Sequence, residues 1–276
     1  MRKYIHDLKI TGKKRLTPDY FTLELTSETP FPEVLPGQFA EVLIPGANTF
    51  LRRPFSIHAQ DMDNNCIKLL IRIVGNGTRS LAYLEEGDFL NMIYPLGNSF
   101  SLPGDNYVLL IGGGCGIAPL LLTASYFHKN NIVPTILLGA RTKDELLEVH
   151  EFEKFGKVLL TTDDGSAGEK GLVTMHPVLK EKKPYFDKIY ACGPEIMMKH
   201  IAKYAKSNNI HCEVSLENMM ACGIGACLCC VTETTSGNRC VCTDGICRGE
   251  TVCDPGGQQP APRLLVRRAA GFHDGV

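Results

Sequence analysis

The stretch from Tyr107 to Asn130, YVLLIGGGCGIAPLLLTASYFHKN, decides the fold. An apolar run of strand length ends at Ile111, and glycines follow at 112, 113, 114 and 116. An apolar segment with Pro119 in its first turn then reads as a helix. Glycines in a strand-to-helix turn let the backbone approach a pyrophosphate. The helix N-terminus adds unpaired amides and the positive end of its dipole. Gly112, Gly113, Gly114 and Gly116 are therefore candidate nucleotide-binding residues. The pattern is not the G-x-G-x-x-G fingerprint, because Ile117 stands where the third glycine belongs. Nor does an acidic residue end the next strand, which reads Gly139-Ala140-Arg141. A plain glycine-rich turn is the competing reading. Cys115 reads as a small turn residue rather than a nucleophile, since no base stands beside it in sequence.

Downstream of this turn, strand-like and helix-like segments alternate. VPTILLGA, KVLLTTDD and FDKIYACGP are strand-like, EIMMKHIAKYAKSNN has helical apolar spacing, and IHCEVSLE reads as a last strand. Such alternation implies a parallel sheet covered by helices, with ligands at the carboxyl ends of the strands. Upstream the texture differs. FTLEL, FAEVLIP and IKLLIRIV are short apolar or alternating runs, punctuated by Pro36-Gly37, Pro45-Gly46 and Gly75-Asn76-Gly77. That spacing predicts a small antiparallel barrel. The expected architecture is a β-barrel over 1–101, an α/β domain over 102–213, a small module over 214–254 and a disordered tail over 255–276.

Length and charge bound the function. A chain of 276 residues holds two compact domains or one large one, and 44% hydrophobic with 21% charged residues fits a globular protein. Lys plus Arg number 29 and Asp plus Glu 30, a balance that argues against a dedicated nucleic-acid partner. No apolar run reaches the roughly 18 residues of a membrane span, and no apolar segment follows Arg2 and Lys3 as in a signal peptide. A cytoplasmic location is expected.

The cysteines are unevenly placed. Of 12, eight lie between Cys222 and Cys253. In a reducing compartment such a cluster points to metal or iron–sulfur ligation rather than disulfides. The spacing Cys222-x4-Cys227-x2-Cys230-x11-Cys242 is that of a plant-type 2Fe–2S site. Cys240 competes with Cys242 as the fourth ligand. Structural zinc is the rival, but its sites usually carry two C-x2-C pairs, and only Cys227/Cys230 makes one cleanly.

Taken in order, these motifs resemble the ferredoxin reductase superfamily, in which a flavin barrel precedes a pyridine-nucleotide domain. Gly112–Pro119 fits that family's Gly-Gly-Gly-x-Gly-x-x-Pro turn. Cys192-Gly193-Pro194 fits its Cys-Gly-Pro motif beside the nicotinamide. Arg53-Pro54-Phe55-Ser56 is similar to its flavin motif, in which the arginine meets the diphosphate and the hydroxyl the isoalloxazine edge, although Arg52 is a register competitor. Leu70-Ile71-Arg72 corresponds to the strand that supports the flavin. Gly77-Thr78 corresponds to the turn facing the diphosphate, which favours FAD over FMN. Pro95–Phe100 is like the segment that closes the flavin domain, and Asp163–Ser166 is either a nucleotide-site loop or a solvated one. The segment Glu217–Cys227 resembles one subfamily closely, the electron transfer subunits of two-subunit, NAD-dependent dihydroorotate dehydrogenases. Cys242 precedes Thr243-Asp244-Gly245, as the fourth ligand does there.

That resemblance implies FAD, a 2Fe–2S cluster, NAD as diffusible co-substrate, and no general acid–base pair. It implies an FMN-containing dihydroorotate dehydrogenase catalytic subunit as partner, in a heterotetramer with two of each chain. It also implies a place in pyrimidine biosynthesis. The text after Asp244-Gly245 and the tail beyond Pro255 depart from the subfamily. The runner-up is the small subunit of a sulfide dehydrogenase or ferredoxin-NADP transhydrogenase. From another class, a zinc-stabilised nucleotide-binding regulator without a redox role also fits the residues.

Overall fold

A computed structural model describes residues 2–46, 49–104, 107–180, 186–234 and 237–248. The tail expected to be disordered lies outside the described residues.

The first six strands are β1 (Tyr4–Thr17), β2 (Tyr20–Thr26), β3 (Phe39–Val42), β4 (Arg53–Asp61), β5 (Cys66–Arg72) and β6 (Phe89–Leu96), with α1 (Asn76–Tyr83) between the last two. They close into an antiparallel barrel of order β1-β2-β5-β4-β3-β6, with β6 pairing back onto β1. Closure leaves no free edge and one apolar interior. Phe21, Leu23, Leu25, Ile57, Ile67, Leu69 and Ile71 fill it at the period-two spacing of strands.

The second layer comprises β7 (Val108–Gly113), α2 (Ala118–Lys129), β8 (Thr135–Ala140), α3 (Val149–Glu153), β9 (Lys157–Thr162), β10 (Glu169–Lys170), β11 (Lys188–Cys192), α4 (Glu195–Ser207) and β12 (His211–Ser215). Beyond it lie β13 (Val231–Thr234), β14 (Gly237–Cys240), α5 (Val241–Asp244) and β15 (Ile246–Arg248). The sheet order is β10-β9-β8-β7-β11-β12-β15. Strands β7 to β12 run parallel, and β15 pairs antiparallel with β12. Strand β7 has β8 on one side and β11 on the other. The glycine turn after it thus opens where the strand order reverses, the crevice in which such sheets bind ligands.

Three features depart from the sequence reading. The long first strand, β1, was not expected. Strand β12 runs across the expected boundary at 213/214, and the module continues the sheet through β15. The domains also share cores. Leu122 of α2 is buried with the barrel residues, while Tyr20 and Leu70 of the barrel and Ile246 of β15 are buried with the α/β core. Local patterning cannot reveal these exchanges, because each residue simply reads as apolar in its own element.

Candidate functional site

Every flavin-motif residue except one converges on a single cavity of about 710 Å³. Arg53, Pro54, Phe55 and Ser56 line it from β4, Leu70 and Arg72 from β5, and Gly77 and Thr78 from the start of α1. Ile71 takes the other face of β5 and is fully buried in the barrel core, as strand alternation requires. Its side chain is not among the cavity's lining residues, whereas those of Leu70 and Arg72 are. The two adjacent arginines differ in their partners. Arg52 donates to Glu41 O and Asn91 O, each at 3.3 Å, and to Asn91 Oδ1, which ties it into the barrel wall. Arg53 donates to the Leu51 and Arg52 carbonyls and lines the cavity. An added Cβ on Gly77 would lie 3.9 Å from Arg53 Nε, so the guanidinium and the start of α1 face each other closely. Thr78 Oγ1 accepts from Val74 N at 2.9 Å and Gly75 N at 3.2 Å, which shapes that turn. Thr49 Oγ1 lines the same cavity, buried and without a hydrogen-bond partner among the described residues. A cation, an open helix start and an orphaned hydroxyl in one pocket fit a diphosphate-bearing flavin.

A second cavity of about 530 Å³ opens at the carboxyl ends of β7 and β11. Gly113, Gly114, Gly116, Gly193 and Pro194 line it. Gly112 and Cys192 do not. An added Cβ on Gly112 would sit 2.9 Å from Ile117 Cγ2 and Leu120 Cδ1, so this glycine serves turn packing. Cys192 is buried, and burial, reinforced by Glu217 and Cys115, pushes its thiol well up. An added Cβ on Gly116 would fall 2.3 Å from the Cys192 carbonyl oxygen, so only glycine lets the turn meet β11. The Cys115 thiol is raised to about 11 by burial and then by Glu217, which fits a passive turn residue. Asp163–Ser166 is exposed, with the Asp164 carboxylate held by Ser166 at 2.6 Å, and lines neither cavity.

The two cavities share a wall made of Arg72, Cys115, Leu216, Glu217 and Asn218. Glu217 went unassigned in the sequence reading. Burial raises its carboxyl pKa, and its only sequence signal was a place in the cysteine-module text.

The cysteine module closes the flavin cavity from the other side, through Met220, Val241, Gly245 and Ile246. Cys230 and Cys242 are buried with Val241 against Phe39 and Leu96 of the barrel, and Phe39 itself lines the flavin cavity. Backbone amides aim at the sulfurs. Ile224 N donates to Cys222 Sγ at 3.5 Å, Gly225 N to Cys242 Sγ at 3.1 Å, and Cys242 N to Cys230 Sγ at 3.3 Å. Gly223 and Gly225 have φ of +66° and +83°, and added Cβ atoms would strike Glu41 Cγ at 2.5 Å and Thr243 Cγ2 at 2.7 Å. Burial opposes a Cys222 thiolate, but the Ile224 and Cys227 amides, the Cys227 thiol and the Ala226 amide hold it down at about 6. Burial, then the Cys230 thiol, pushes Cys242 up to about 12. Among the described residues, no three His, Cys, Asp or Glu side chains converge closely enough to hold a metal ion. Backbone amides directed at the Cys222, Cys230 and Cys242 sulfurs suit thiolates that hold an iron–sulfur cluster. Cys240 is partly exposed, and its amide bonds Asp244 Oδ2 at 3.1 Å.

Beneath this loop, Glu41 is fully buried, and neither carboxylate oxygen has a hydrogen-bond partner among the described residues. Burial lifts its pKa to about 7 against the pull of Arg52 and Arg53. No helix of the described residues is long and apolar enough to cross a membrane.

Comparison with known proteins follows the same three parts. Residues 7–100 match the oxidoreductase FAD-binding domain, 110–203 the oxidoreductase NAD-binding domain, and 217–245 the iron–sulfur cluster binding domain of dihydroorotate dehydrogenase B. The dihydroorotate dehydrogenase B (NAD(+)) electron transfer subunit of Caldanaerobacter subterraneus subsp. tengcongensis is 36% identical over 241 residues, 86% of this chain and 93% of that protein. Its counterpart in Streptococcus pneumoniae strain R6 is 36% identical over 247 residues, covering 87% and 95%. A solved NADH-dependent reduced ferredoxin-NADP oxidoreductase is 33% identical, with a TM-score of 0.80 and 89% of each chain covered. A ferredoxin reductase of carbazole 1,9a-dioxygenase, 20% identical with a TM-score of 0.67 over 76% of this chain and 67% of that one, shares the fold. The chain belongs to the family of dihydroorotate dehydrogenase B (NAD(+)) electron transfer subunits.

Proposed function

We propose that this chain is the electron transfer subunit of a two-subunit dihydroorotate dehydrogenase in pyrimidine biosynthesis. It carries electrons from the FMN of a catalytic partner, through a 2Fe–2S cluster and FAD, to NAD. A flavin when bound exchanges hydride with nicotinamide and single electrons with an iron–sulfur cluster, so its place is between the two. The observation that carries the reading is the shared wall. Arg72, Cys115 and Leu216–Asn218 face both cavities, and the buried Cys230/Cys242 pair packs on Phe39 at the flavin cavity.

The residues act by holding, not by proton transfer. Arg53, Thr49 and the start of α1 would hold the diphosphate, and Ser56 and Phe55, which line the same cavity, would hold the ring. Gly113, Gly114 and Gly116 cradle the nucleotide, with Gly193 and Pro194 opposite. Cys222, Cys227, Cys230 and Cys242 would hold the irons of the cluster, and the Ile224, Gly225 and Cys242 amides donate to the Cys222, Cys242 and Cys230 sulfurs. Orientation of this kind supplies most of the rate when no acid–base step is needed. The partner is an FMN-containing dihydroorotate-oxidising subunit, in a heterotetramer of two chains of each kind. The location is cytoplasmic.

Co-expression with such a subunit tests this. The complex is expected to reduce NAD with dihydroorotate, and the isolated chain to be yellow-brown and inert toward dihydroorotate. Activity without a partner, or none with any dihydroorotate-oxidising subunit, ends the assignment. The likeness to the ferredoxin-NADP oxidoreductase supports a second reading, a small subunit paired with a nicotinamide- or ferredoxin-oxidising chain. The same co-expression with that class of partner distinguishes the two.

A further inference from the structure

The register of β4 against β5 breaks between Ile57 and Ala59, so His58 sits at a bulge. A bulge re-aims a side chain, and this one turns a fully buried imidazole into the junction between barrel and α/β domain. His58 Nδ1 lies 2.8 Å from the carbonyl oxygen of Ala118, the first residue of α2. His58 Nε2 contacts Glu148 Oε2, whose side chain is only 3% exposed. Glu148 holds the left-handed conformation at φ 50° just before α3. A carbonyl only accepts, so Nδ1 donates to Ala118 O, and Nε2 faces the Glu148 carboxyl group. Lys68 and Lys14 also face Glu148 and help hold its carboxyl pKa down, against burial. A bulge, a left-handed non-glycine residue and a buried polar contact are each unfavourable locally. All three meet at one point.

That point is mechanically placed. Two residues before His58, Ser56 lines the flavin cavity. One residue before Ala118 ends the turn Gly114–Ile117 at the nucleotide cavity. Neither His58 nor Glu148 lines either cavity. We infer that the His58–Glu148 pair is a positioning device that sets the nucleotide turn against the flavin wall, and so sets how closely nicotinamide meets flavin. This rests on the function proposed above. A misplacement of about 1 Å between reacting groups costs on the order of a hundredfold in rate.

The test uses the chain loaded with FAD and cluster, mixed anaerobically with NADH while flavin absorbance is followed. Ferricyanide reoxidation of the chemically reduced protein is the second readout, since it needs no nicotinamide. His58→Ala and Glu148→Gln are expected to slow flavin reduction by NADH about tenfold or more. Nucleotide affinity should change by less than about threefold, and ferricyanide reoxidation should not change. His58→Gln, which keeps a donor for the Ala118 carbonyl, should recover most of the rate. Variants with full FAD and iron that keep the parent's rate overturn the proposal. So does a parallel loss of ferricyanide reoxidation, which marks general damage. If His58→Ala does not fold, Glu148→Gln decides by the same criteria. A parent that NADH cannot reduce overturns the functional reading and this inference together, whereas a normal parent with normal variants overturns this inference alone.

Discussion

Arg52 and Arg53 are adjacent, equally charged and indistinguishable by composition, yet their partners separate them. Arg53→Ala should weaken FAD retention by about 1.5–3 kcal/mol, the range for a charge-assisted hydrogen bond, read as flavin lost on dialysis. Arg52→Ala should leave the FAD-to-protein ratio intact and lower the denaturation midpoint, because its partners are Glu41 and Asn91 of the barrel. Glu41 makes stability depend on pH. Its folded pKa of about 7 lies above the unfolded carboxylate value, so its contribution is full at low pH and is lost as pH rises through about 7. Glu41→Gln should therefore gain on the parent between about pH 4.5 and 7 and hold a constant advantage above that, measured by urea denaturation across pH. Equal curves for the two proteins would remove Glu41 from the account. The motif at Arg53 was legible only through its resemblance to the family's flavin motif, which left Arg52 as a competitor. Glu41 was not, since a single glutamate in a strand looks solvent-facing until the cluster loop is laid over it.

At the scale of elements, the glycine turn and the cysteine loop are both built on close backbone approach. Gly116→Ala would drive a Cβ into the Cys192 carbonyl, so β7 and β11 must part at the nucleotide site. The expected result is at least a tenfold rise in KM for NADH with FAD and iron content unchanged, by steady-state assay with an artificial acceptor. In the cysteine loop, Cys242→Ser should lose the cluster, read as iron content and visible absorbance, whereas Cys240→Ser should keep it. The reverse outcome would exchange the two assignments. Spacing alone left this pair open because both lie within reach of the hairpin. In the structure Cys242 is buried with the Gly225 amide directed at its sulfur, and Cys240 is partly exposed.

The module is not an appendage of the whole molecule. Strand β15 extends the parallel sheet, Ile246 enters its core, and Cys230, Val241 and Cys242 pack on the barrel. The free energy of binding irons there is therefore also free energy of holding the FAD cavity closed. Iron removal with a chelator should lower the thermal midpoint and speed FAD release, measured by a melting curve and by flavin fluorescence. An apo-cluster protein that keeps its FAD as tightly as before would show that the module is energetically separate.

The sequence by itself determined the three-part order, the flavin motif, the glycine turn and the cysteine spacing, because each is a local pattern whose chemistry needs only near neighbours in the chain. Only the tertiary structure decided which face of β5 meets the flavin cavity, that Glu217 stands between the cavities, and that His58 of the barrel grips the first residue of α2. Those contacts join residues far apart in sequence, 90 positions in the case of His58 and Glu148. The barrel and sheet must pack on each other before either side chain has a partner.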